Sequence, residues 1–282
     1  MVRGGKGIIN RLRVREIEAR SVLSRSGIAE VEYALNPYVG CEHGCLYCYA
    51  VFMKRFTGHK EEWGTFVDVK ANAPQILAQE LRRAKPGKVL LSSVTDPYQP
   101  LERRYEITRR CLEVLQGHPD FEVSILTKSA LVLRDVDLLR GLHRVEVGFT
   151  VTGLDEGLRR IFEPLASPFR TRIEALAQLS AAGIESWAFF GPALPFLTDS
   201  QEEIDILFRE LRGAGVKRVL VDRLNLKGAG WGRLKRALRA HYPQLVDDYR
   251  ILARDMEGYS YALGERVRRA AAKYGLEWES CF

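Results

Sequence analysis

The sequence predicts an α/β protein, a partial barrel of six strand–helix units followed by a helical C-terminal extension. Short apolar runs alternate with segments of helical periodicity as far as Asp222, a pattern typical of a parallel sheet with helices outside it. The chain has 282 residues, which is enough to bury one large core. Beyond Asp222 the strand pattern stops, and only helical periodicity remains.

The elements follow in chain order from this alternation. Residues 1–30 lack periodicity and hold glycines among basic residues, so they are predicted to be an extended or partly ordered arm. Residues 31–39 alternate as a strand that leads into a cysteine-rich loop. The later strands are predicted at 88–94, 122–127, 145–150, 184–190 and 217–222. A helix is predicted to begin at Asn72, with Pro74 in its first turn. Further helices are predicted at 104–116, 130–141 and 169–182. Another is predicted after Asp199, which is its expected N-cap with Glu202 as the N3 partner. The extension is predicted to be helical at 231–240, 245–255 and 261–274.

The positive charge is concentrated at the two ends of the chain. With 43 Lys and Arg against 36 Asp and Glu, the net charge is +7. Residues 1–30 carry seven cations against three acids and residues 228–282 carry ten against seven, whereas residues 31–227 carry 26 of each. These boundaries define a basic arm, a catalytic core and a helical extension. Basic ends around a neutral core are expected either to contact a polyanion such as nucleic acid or only to solvate the surface.

Composition also bounds the class of protein. No apolar run approaches the ~20 residues that a membrane span requires, and the basic N-terminus is followed by no apolar signal region. The expected compartment is therefore the cytoplasm. In a reducing compartment, clustered cysteines indicate a metal site rather than disulfides.

Three of the five cysteines, Cys41, Cys45 and Cys48, lie in one short loop with the spacing Cys-x3-Cys-x2-Cys. Three thiolates are one fewer than a closed structural zinc site or an ordinary electron-transfer cluster needs. An iron–sulfur cluster held by three leaves one iron open for chemistry. The alternative is a zinc site completed by His43 or His59. Cys111 lies on the apolar side of a predicted helix and is expected in the core.

This loop, together with the preceding Asn36-Pro37-Tyr38-Val39-Gly40, resembles the signature of radical S-adenosylmethionine (SAM) enzymes, Cys-x3-Cys-x-aromatic-Cys, with Tyr47 as the aromatic residue. Residues 69–74 and 93–100 add a narrower resemblance to the branch that includes the spore photoproduct lyases, the DNA repair photolyase-like group. The resemblance extends from about Leu35 to Asp222. It implies a 4Fe–4S cluster on the three cysteines, with SAM on the open iron. It also implies an electron donor resembling flavodoxin or ferredoxin, and a 5′-deoxyadenosyl radical that abstracts hydrogen from a substrate.

Polar clusters follow the predicted strands directly, where the reactive groups of parallel α/β barrels gather. They lie at 92–96, 127–129, 150–152, 191–192 and 222–225. The resemblance implies that Ser92, Ser93, Thr95 and Asp96 lie near the methionine amino group of SAM. Lys128 is expected on the SAM carboxylate or a nearby phosphate, Arg172 as a second cation, and Tyr47 beside the cluster and the adenine. For both cations a solvated surface position is the alternative.

One position departs from the lyase pattern. The lyases use a cysteine just after the second strand to return a hydrogen atom to their product, and Ser93 stands at that place here. Because a serine O–H bond is too strong for easy donation, a thymine-dimer lyase is not expected unless Cys281 takes the role. Cys281 is otherwise expected to be a flexible terminal thiol.

The predicted function is therefore a radical SAM enzyme that acts on an unidentified substrate, for which a nucleic acid is the leading candidate because of the basic ends of the chain. Residues 51–65, which mix aromatic and basic side chains, are expected either to cover the cluster or to stack on a base. Two alternatives stay open. One is radical SAM modification of a protein, peptide or small metabolite, and the other is a non-catalytic, zinc-dependent nucleic-acid-binding module.

Overall fold

The computed structural model describes residues 12–227 and 230–282. Its strands are β1 (Arg13–Ile17), β2 (Leu23–Arg25), β3 (Tyr33–Leu35), β4 (Tyr38–Val39), β5 (Phe66–Lys70), β6 (Gly87–Leu91), β7 (Phe121–Thr127), β8 (Val145–Thr150), β9 (Glu185–Ala193), β10 (Arg218–Arg223) and β11 (Glu277–Ser280). Its α-helices are α1 (Ala73–Leu81), α2 (Glu102–Tyr105), α3 (Ile107–Gln116), α4 (Val136–Gly141), α5 (Glu156–Phe162), α6 (Phe169–Ala181), α7 (Gln201–Gly213), α8 (Trp231–His241), α9 (Val246–Leu252) and α10 (Met256–Tyr274). Short 3₁₀ helices lie at Tyr49–Phe56, Ala130–Asp135 and Pro243–Leu245.

The main sheet has eight strands in the order β11-β10-β9-β8-β7-β6-β3-β2. All its neighbours pair in parallel except β2, which pairs antiparallel with β3. Within the described residues β2 and β11 do not pair with each other, so the sheet is a partial barrel, as predicted. A small second sheet, in the order β1-β5-β4, lies beside the cysteine loop.

The core lies between the sheet and the surrounding helices. Alternate residues of the parallel strands form aligned apolar rows. One such row is Leu35, Leu91, Ile125 and Val147, and all four are fully buried. Cys111 is also fully buried, which confirms its place in the core. Because side chains alternate along a strand, the other set faces the barrel interior and its open carboxyl end.

The predicted alternation is confirmed strand by strand from β6 to β10, but several details were wrong. Residues 31–39 form two strands in different sheets, and the predicted helix at 104–116 breaks at Glu106, whose φ is +51°. The N-cap of α7 is Ser200 with Glu203, one residue beyond the predicted pair. Asp199 instead accepts hydrogen bonds from Phe196 and Arg266.

The two ends of the chain also contain elements that the sequence did not reveal. The described part of the N-terminal arm contains β1 and β2, and residues 1–11 lie outside the described residues. The three predicted C-terminal helices are present as α8, α9 and α10, but they are followed by β11, which pairs with β10. Among the helices of residues 12–227 and 230–282, none combines the length and the apolar character that a membrane-spanning helix needs.

Candidate active site

The cysteine loop begins where β4 ends, and its backbone requires glycine at two points. Gly40 has φ +85°, and a Cβ there would lie 2.5 Å from the carbonyl oxygen of Phe66. Gly44 has φ +64°, and it lies so close to Gly64 that a Cβ on Gly64 would be 2.8 Å from the Gly44 Cα. Only glycine fits such left-handed and closely approached positions without strain. The loop conformation therefore depends on close backbone contacts that only glycine allows.

Residues of the strand-end segment 92–99 hold this loop from the barrel side. The Thr95 hydroxyl donates to the carbonyl of Gly40 at 2.5 Å, and the Glu42 N–H donates to Oε1 of Gln99 at 2.8 Å. Gln99 is itself fully buried and donates to Thr95. Thr95 thus orients the cysteine loop by a hydrogen bond from its side chain to the loop backbone.

A cavity of about 210 Å³ opens at the carboxyl ends of the strands, and all three loop cysteines line it. Its wall also contains nine of the polar and aromatic residues that the strand ends and the loop supply: His43, Tyr47, Tyr49, Ser92, Ser93, Thr95, Asp96, Lys128 and Asp222. The structure therefore brings together Cys41, Cys45, Cys48, Tyr47, Ser92, Ser93, Thr95, Asp96 and Lys128 from the predicted set.

The cysteines have the chemistry of metal ligands. Cys41 and Cys45 are buried and Cys48 is half-buried. Burial raises the pKa of Cys45 to about 12 and raises that of Cys41 well above its usual value. Each thiol therefore needs a compensating cation to become a thiolate, and metal binding supplies that cation.

The predicted alternative of a zinc site would need His43 or His59 as a ligand beside the three thiols. Within residues 12–227 and 230–282, no three His, Cys, Asp or Glu side chains are placed to hold one metal ion. His59 is bound by Asp68 and Arg15 and does not line the cavity. His43 does, but its Nδ1 faces Asp96 at 3.3 Å. Three thiols on one cavity wall fit an iron–sulfur cluster with one open iron.

Asp96 is a buried junction between two strand ends. Its carboxylate accepts hydrogen bonds from the Thr127 hydroxyl at 2.7 Å and from the backbone N–H groups of Lys128 and Tyr98 at 2.8 and 2.9 Å. Burial alone would raise the pKa of Asp96, but His43 and these hydrogen bonds lower it to about 2. The Asp96 oxygens thus contact these three donors and His43, so Asp96 supports the cavity wall by holding two strand ends together.

The side chains of Ser92 and Ser93 differ in whether they have a hydrogen-bond partner. Ser92 has φ +66°, and its buried hydroxyl has no hydrogen-bond partner within the described residues. Ser93 receives a long bond, 3.4 Å, from the side chain of Asn36, and its carbonyl accepts the Tyr49 hydroxyl. An unpartnered buried hydroxyl on strained backbone in a cavity wall is an available ligand contact.

Lys128 and Tyr47 form one corner of the cavity. The Lys128 Nζ lies 5.8 Å from the centre of the Tyr47 ring and makes no ion pair in the described part of the chain. The Tyr47 hydroxyl donates to the buried carboxylate of Glu163, which also accepts from Thr152 at 3.2 Å. Lys128 is therefore a cavity cation whose charge is available to an anionic ligand.

The structure does not bring Arg172 to the cavity, so the expectation that it contacts the cofactor needs correction. Arg172 is fully buried and forms an ion pair with Glu163, while it donates to the carbonyls of Ser167 at 2.7 Å and Thr150 at 2.8 Å. Burial alone would raise the pKa of Glu163, but Arg172 and Lys128 hold it below its usual value. Arg172 stabilises the Glu163 carboxylate by an ion pair, and Glu163 in turn accepts the hydrogen bond of the Tyr47 hydroxyl.

Sequence reasoning missed the contribution of α8 to the cysteine loop. Arg233 donates to the carbonyls of Cys45 at 3.1 Å and Gly44 at 3.0 Å. A Cβ on Gly230 would lie 2.9 Å from the carbonyl oxygen of Tyr47, so helix and loop backbones are in close contact. The C-terminal extension is therefore part of the site.

Asp222 lies on β10, next to Cys281, which directly follows β11. Val221 pairs with Ser280, and the Cys281 N–H donates to the carbonyl of Val221 at 2.8 Å. Asp222 lines the cavity, whereas Cys281 is exposed and does not line it. Burial raises the pKa of Asp222 to about 6, and its carboxylate has no hydrogen bond or ion pair within the described residues.

Replacing Asp222 by asparagine is expected to stabilise the cofactor-free protein by about 1–3 kcal/mol at pH 7.5. The folded-state pKa of Asp222 lies above its unfolded value, so ionisation above pH 6 costs stability, and that cost disappears as the pH falls through 6 toward 4. Denaturant unfolding at pH 4 and pH 7.5 measures the difference, with the exposed Asp120→Asn as control. A gain that did not depend on pH would contradict this assignment.

Comparisons with known proteins agree with the geometry. A family model described as the radical SAM superfamily matches residues 35–211. The uncharacterized protein MJ0683 of Methanocaldococcus jannaschii is 36% identical over 190 residues, which cover 67% of this chain and 71% of that protein. The uncharacterized protein Rv2578c of Mycobacterium tuberculosis is 32% identical over 294 residues, which cover 96% of this chain and 86% of that protein.

Two solved structures have a similar fold. Spore photoproduct lyase complexed with a dinucleoside spore photoproduct matches with a TM-score of 0.72 and 16% identity, covering 100% of this chain and 87% of that chain. SuiB of Streptococcus suis, bound to its precursor peptide SuiA, matches with a TM-score of 0.54 and 14% identity, covering 96% of this chain and 48% of that chain. At these identities the likeness concerns the fold.

Proposed function

Since this chain belongs to the radical SAM superfamily, we propose that it abstracts a hydrogen atom from a nucleic-acid substrate. It is a radical SAM enzyme, and its cofactors are a 4Fe–4S cluster and SAM. When bound, they supply reductive cleavage of the carbon–sulfur bond of SAM to give a 5′-deoxyadenosyl radical. A non-catalytic zinc-dependent module is therefore wrong for this chain.

The residues of the cavity have distinct roles in this proposal. Cys41, Cys45 and Cys48 would hold the cluster, and three ligands would leave one iron open for SAM. The support is that all three thiols line one cavity. The unpartnered hydroxyl of Ser92 and the available charge of Lys128 suit the amino and carboxylate groups of SAM. Ser93, Thr95, Asp96 and Tyr47 support these contacts from the loop and the strand ends.

The observation that favours a nucleic acid is a row of side chains that leads outward from the cavity. A 3₁₀ helix repeats every three residues, so Tyr49, Phe52 and Arg55 of the helix Tyr49–Phe56 share one face. Tyr49 and Phe52 are stacked, with ring centres 6.3 Å apart. The Arg55 Cζ lies 5.5 Å from the ring centre of Phe52 and 4.7 Å from that of Phe56.

This row, extended by Phe56 next to Arg55, is exposed where a substrate would enter. Tyr49 lines the cavity and is 55% exposed, and Phe56 is 66% exposed, whereas Trp63 and Phe66 of the same region are buried against the cysteines. Aromatic rings interleaved with a guanidinium are a stacking platform for unpaired bases. The structural neighbour that binds a dinucleoside supports this class, and the neighbour that binds a peptide keeps a peptide as the second candidate.

Removing the two outer rings of the row is expected to weaken binding of a short single-stranded oligonucleotide. The double variant Phe52→Ala, Phe56→Ala should raise Kd by about tenfold or more, because each base–ring stack contributes about 1–3 kcal/mol. Fluorescence anisotropy of a labelled ten-nucleotide strand measures it. Tyr261→Ala, an aromatic residue that is 75% exposed elsewhere, serves as control. The second candidate, a peptide substrate, would be favoured by either of two results. One is an equal loss of oligonucleotide affinity in the double variant and in Tyr261→Ala, and the other is binding of an aromatic peptide but not of the oligonucleotide to this row.

The remaining parts of the proposal concern partners and hydrogen return. We propose that a cytoplasmic flavodoxin- or ferredoxin-like protein supplies the electron, and that the basic segments 1–30 and 228–282 flank the catalytic core 31–227 for contact with the polyanion. Helix α8 carries cations and no acid, which suits an acidic partner.

Cys281, whose S–H bond is weaker than the Ser93 O–H bond, is the candidate to return hydrogen to a substrate radical. Its position beside Asp222 supports this role.

The test of the proposal is an anaerobic incubation of the cluster-loaded protein with SAM, dithionite and a single-stranded oligonucleotide. Release of 5′-deoxyadenosine that rises with the oligonucleotide, with deuterium transferred from labelled nucleotides, is the expected result. The same incubation in D₂O reports return from an exchangeable thiol as deuterium in the product. Release that rises only with peptides would contradict the nucleic-acid assignment.

A further inference from the structure

Trp63 is buried beside the cysteine loop. Only 3% of its surface is exposed, and it packs in one apolar cluster with Cys41, Ala50 and Phe66, against which Cys48 also packs. Its ring meets Phe66 edge-on, with centres 5.7 Å apart. The contact of Gly64 with Gly44 places the residue before Gly64 next to the cysteine loop.

The indole N–H of Trp63 is a buried donor that lacks an acceptor. Within the described residues its Nε1 has no hydrogen-bond partner. Such a donor ordinarily costs about 1–3 kcal/mol. Cys48 packs against the same buried cluster, and its sulfur, a thiolate once metal is bound, is an acceptor available to this donor. A neutral thiol is a weak acceptor, and a thiolate is a stronger one.

We propose that Trp63 donates its Nε1–H to the sulfur of Cys48 in the cluster-bound protein and thereby raises the reduction potential of the cluster. This inference rests on the proposed function, since it requires the cluster. Reduction adds negative charge to the cluster and its thiolates. A hydrogen bond to a ligand sulfur therefore stabilises the reduced form more than the oxidised form. Trp63 is a positioning and tuning residue that touches neither SAM nor substrate.

Two other side chains near the loop, Arg233 and Gln99, are already engaged in hydrogen bonds. Arg233 gives its two terminal nitrogens to backbone carbonyls of Gly44 and Cys45, and Gln99 is bonded to Thr95 and Glu42. The Ser92 hydroxyl and His43 Nδ1 are also unpartnered within the described residues, but His43 faces Asp96 and Ser92 is assigned to SAM. Trp63 is the unpartnered donor in the apolar cluster against which Cys48 packs.

A redox titration of the Trp63→Phe variant, followed by electron paramagnetic resonance of the reduced cluster, tests the inference. At a fixed applied potential, the ratio of reduced to oxidised cluster should fall about tenfold relative to the parent protein. Trp187→Phe is the matched control. It removes another buried indole N–H without a partner, from a ring that does not line the cavity, and should leave the ratio unchanged. An unchanged ratio in Trp63→Phe would overturn the inference.

A second measurement uses the parent sequence, so it does not depend on whether a variant can load the cluster. Protein labelled with ¹⁵N in its tryptophan side chains, loaded and reduced, should show a ¹⁵N coupling in electron–nuclear double resonance. The absence of that coupling would also overturn the inference. If the parent protein binds no iron–sulfur cluster at all, the proposed function itself fails, so the two failures are distinguishable.

Discussion

Replacing Cys45 by alanine should abolish release of 5′-deoxyadenosine while leaving the barrel folded. Cys45 is one of only three cysteines that line the cavity, and a cluster that loses one of three ligands is not retained. The loop itself is held by contacts that do not involve the Cys45 side chain, such as Thr95 to Gly40 and Arg233 to Gly44. Activity should fall by at least about a hundredfold, since loss of even an outer contact of a metal site costs 10–100-fold.

Cys111→Ala is the matched control for this experiment. Cys111 is also fully buried, but it lies in the core on α3 and does not line the cavity. We expect Cys111→Ala to keep its iron and its release of 5′-deoxyadenosine. Iron content and product are measured for both variants after anaerobic reconstitution. Retained activity in Cys45→Ala would remove that cysteine from the ligand set.

Replacing Arg172 by methionine should destabilise the protein by about 3–5 kcal/mol, because it leaves the buried carboxylate of Glu163 without its cation. Both side chains are fully inaccessible to solvent. The loss should extend to the cysteine loop, since Glu163 accepts the hydroxyl of Tyr47. Denaturant unfolding of the cofactor-free protein measures the first effect, and the yield of cluster loading measures the second.

The controls separate this buried pair from ordinary ion pairs. Arg209→Met breaks an exposed pair with Glu210 and should cost less than about 1 kcal/mol. Adding Glu163→Gln to Arg172→Met removes the uncompensated charge and should recover part of the lost stability. If Arg172→Met were no more destabilising than Arg209→Met, the pair would not have the structural role assigned to it.

Much of the barrel was predictable because its signal is local. The strands from β6 to β10 are short apolar runs between helical segments, and their predicted bounds differ from the observed ones by a few residues at most. The cysteine loop was predictable from spacing alone. The polar clusters after the strands met at one cavity, as the geometry of parallel strands requires. These features depend on periodicity and neighbour spacing, which a single sequence contains.

The rest depends on contacts between distant residues. Arg233 reaches Gly44 across 189 positions, and no pattern near either residue announces the contact. Arg172 carried a charge that suited a cofactor, but its ion pair with Glu163 inside the protein could not be read from sequence. β11 is a short, polar edge strand that pairs only with β10, so neither apolar character nor alternation marked it. At α7, Asp199 and Ser200 both have capping side chains with a Glu three residues on, and tertiary contacts to Arg266 decided between them.

The most direct measurement of the central claim is electron–nuclear double resonance of the reduced protein with SAM labelled with ¹⁵N in its amino group and ¹⁷O in its carboxylate. If three cysteines hold the cluster and one iron is open, both labels should couple to the cluster, and the protein should contain about four irons per chain. A cluster spectrum that shows neither coupling, or a protein that holds one zinc ion and no iron, would contradict the account.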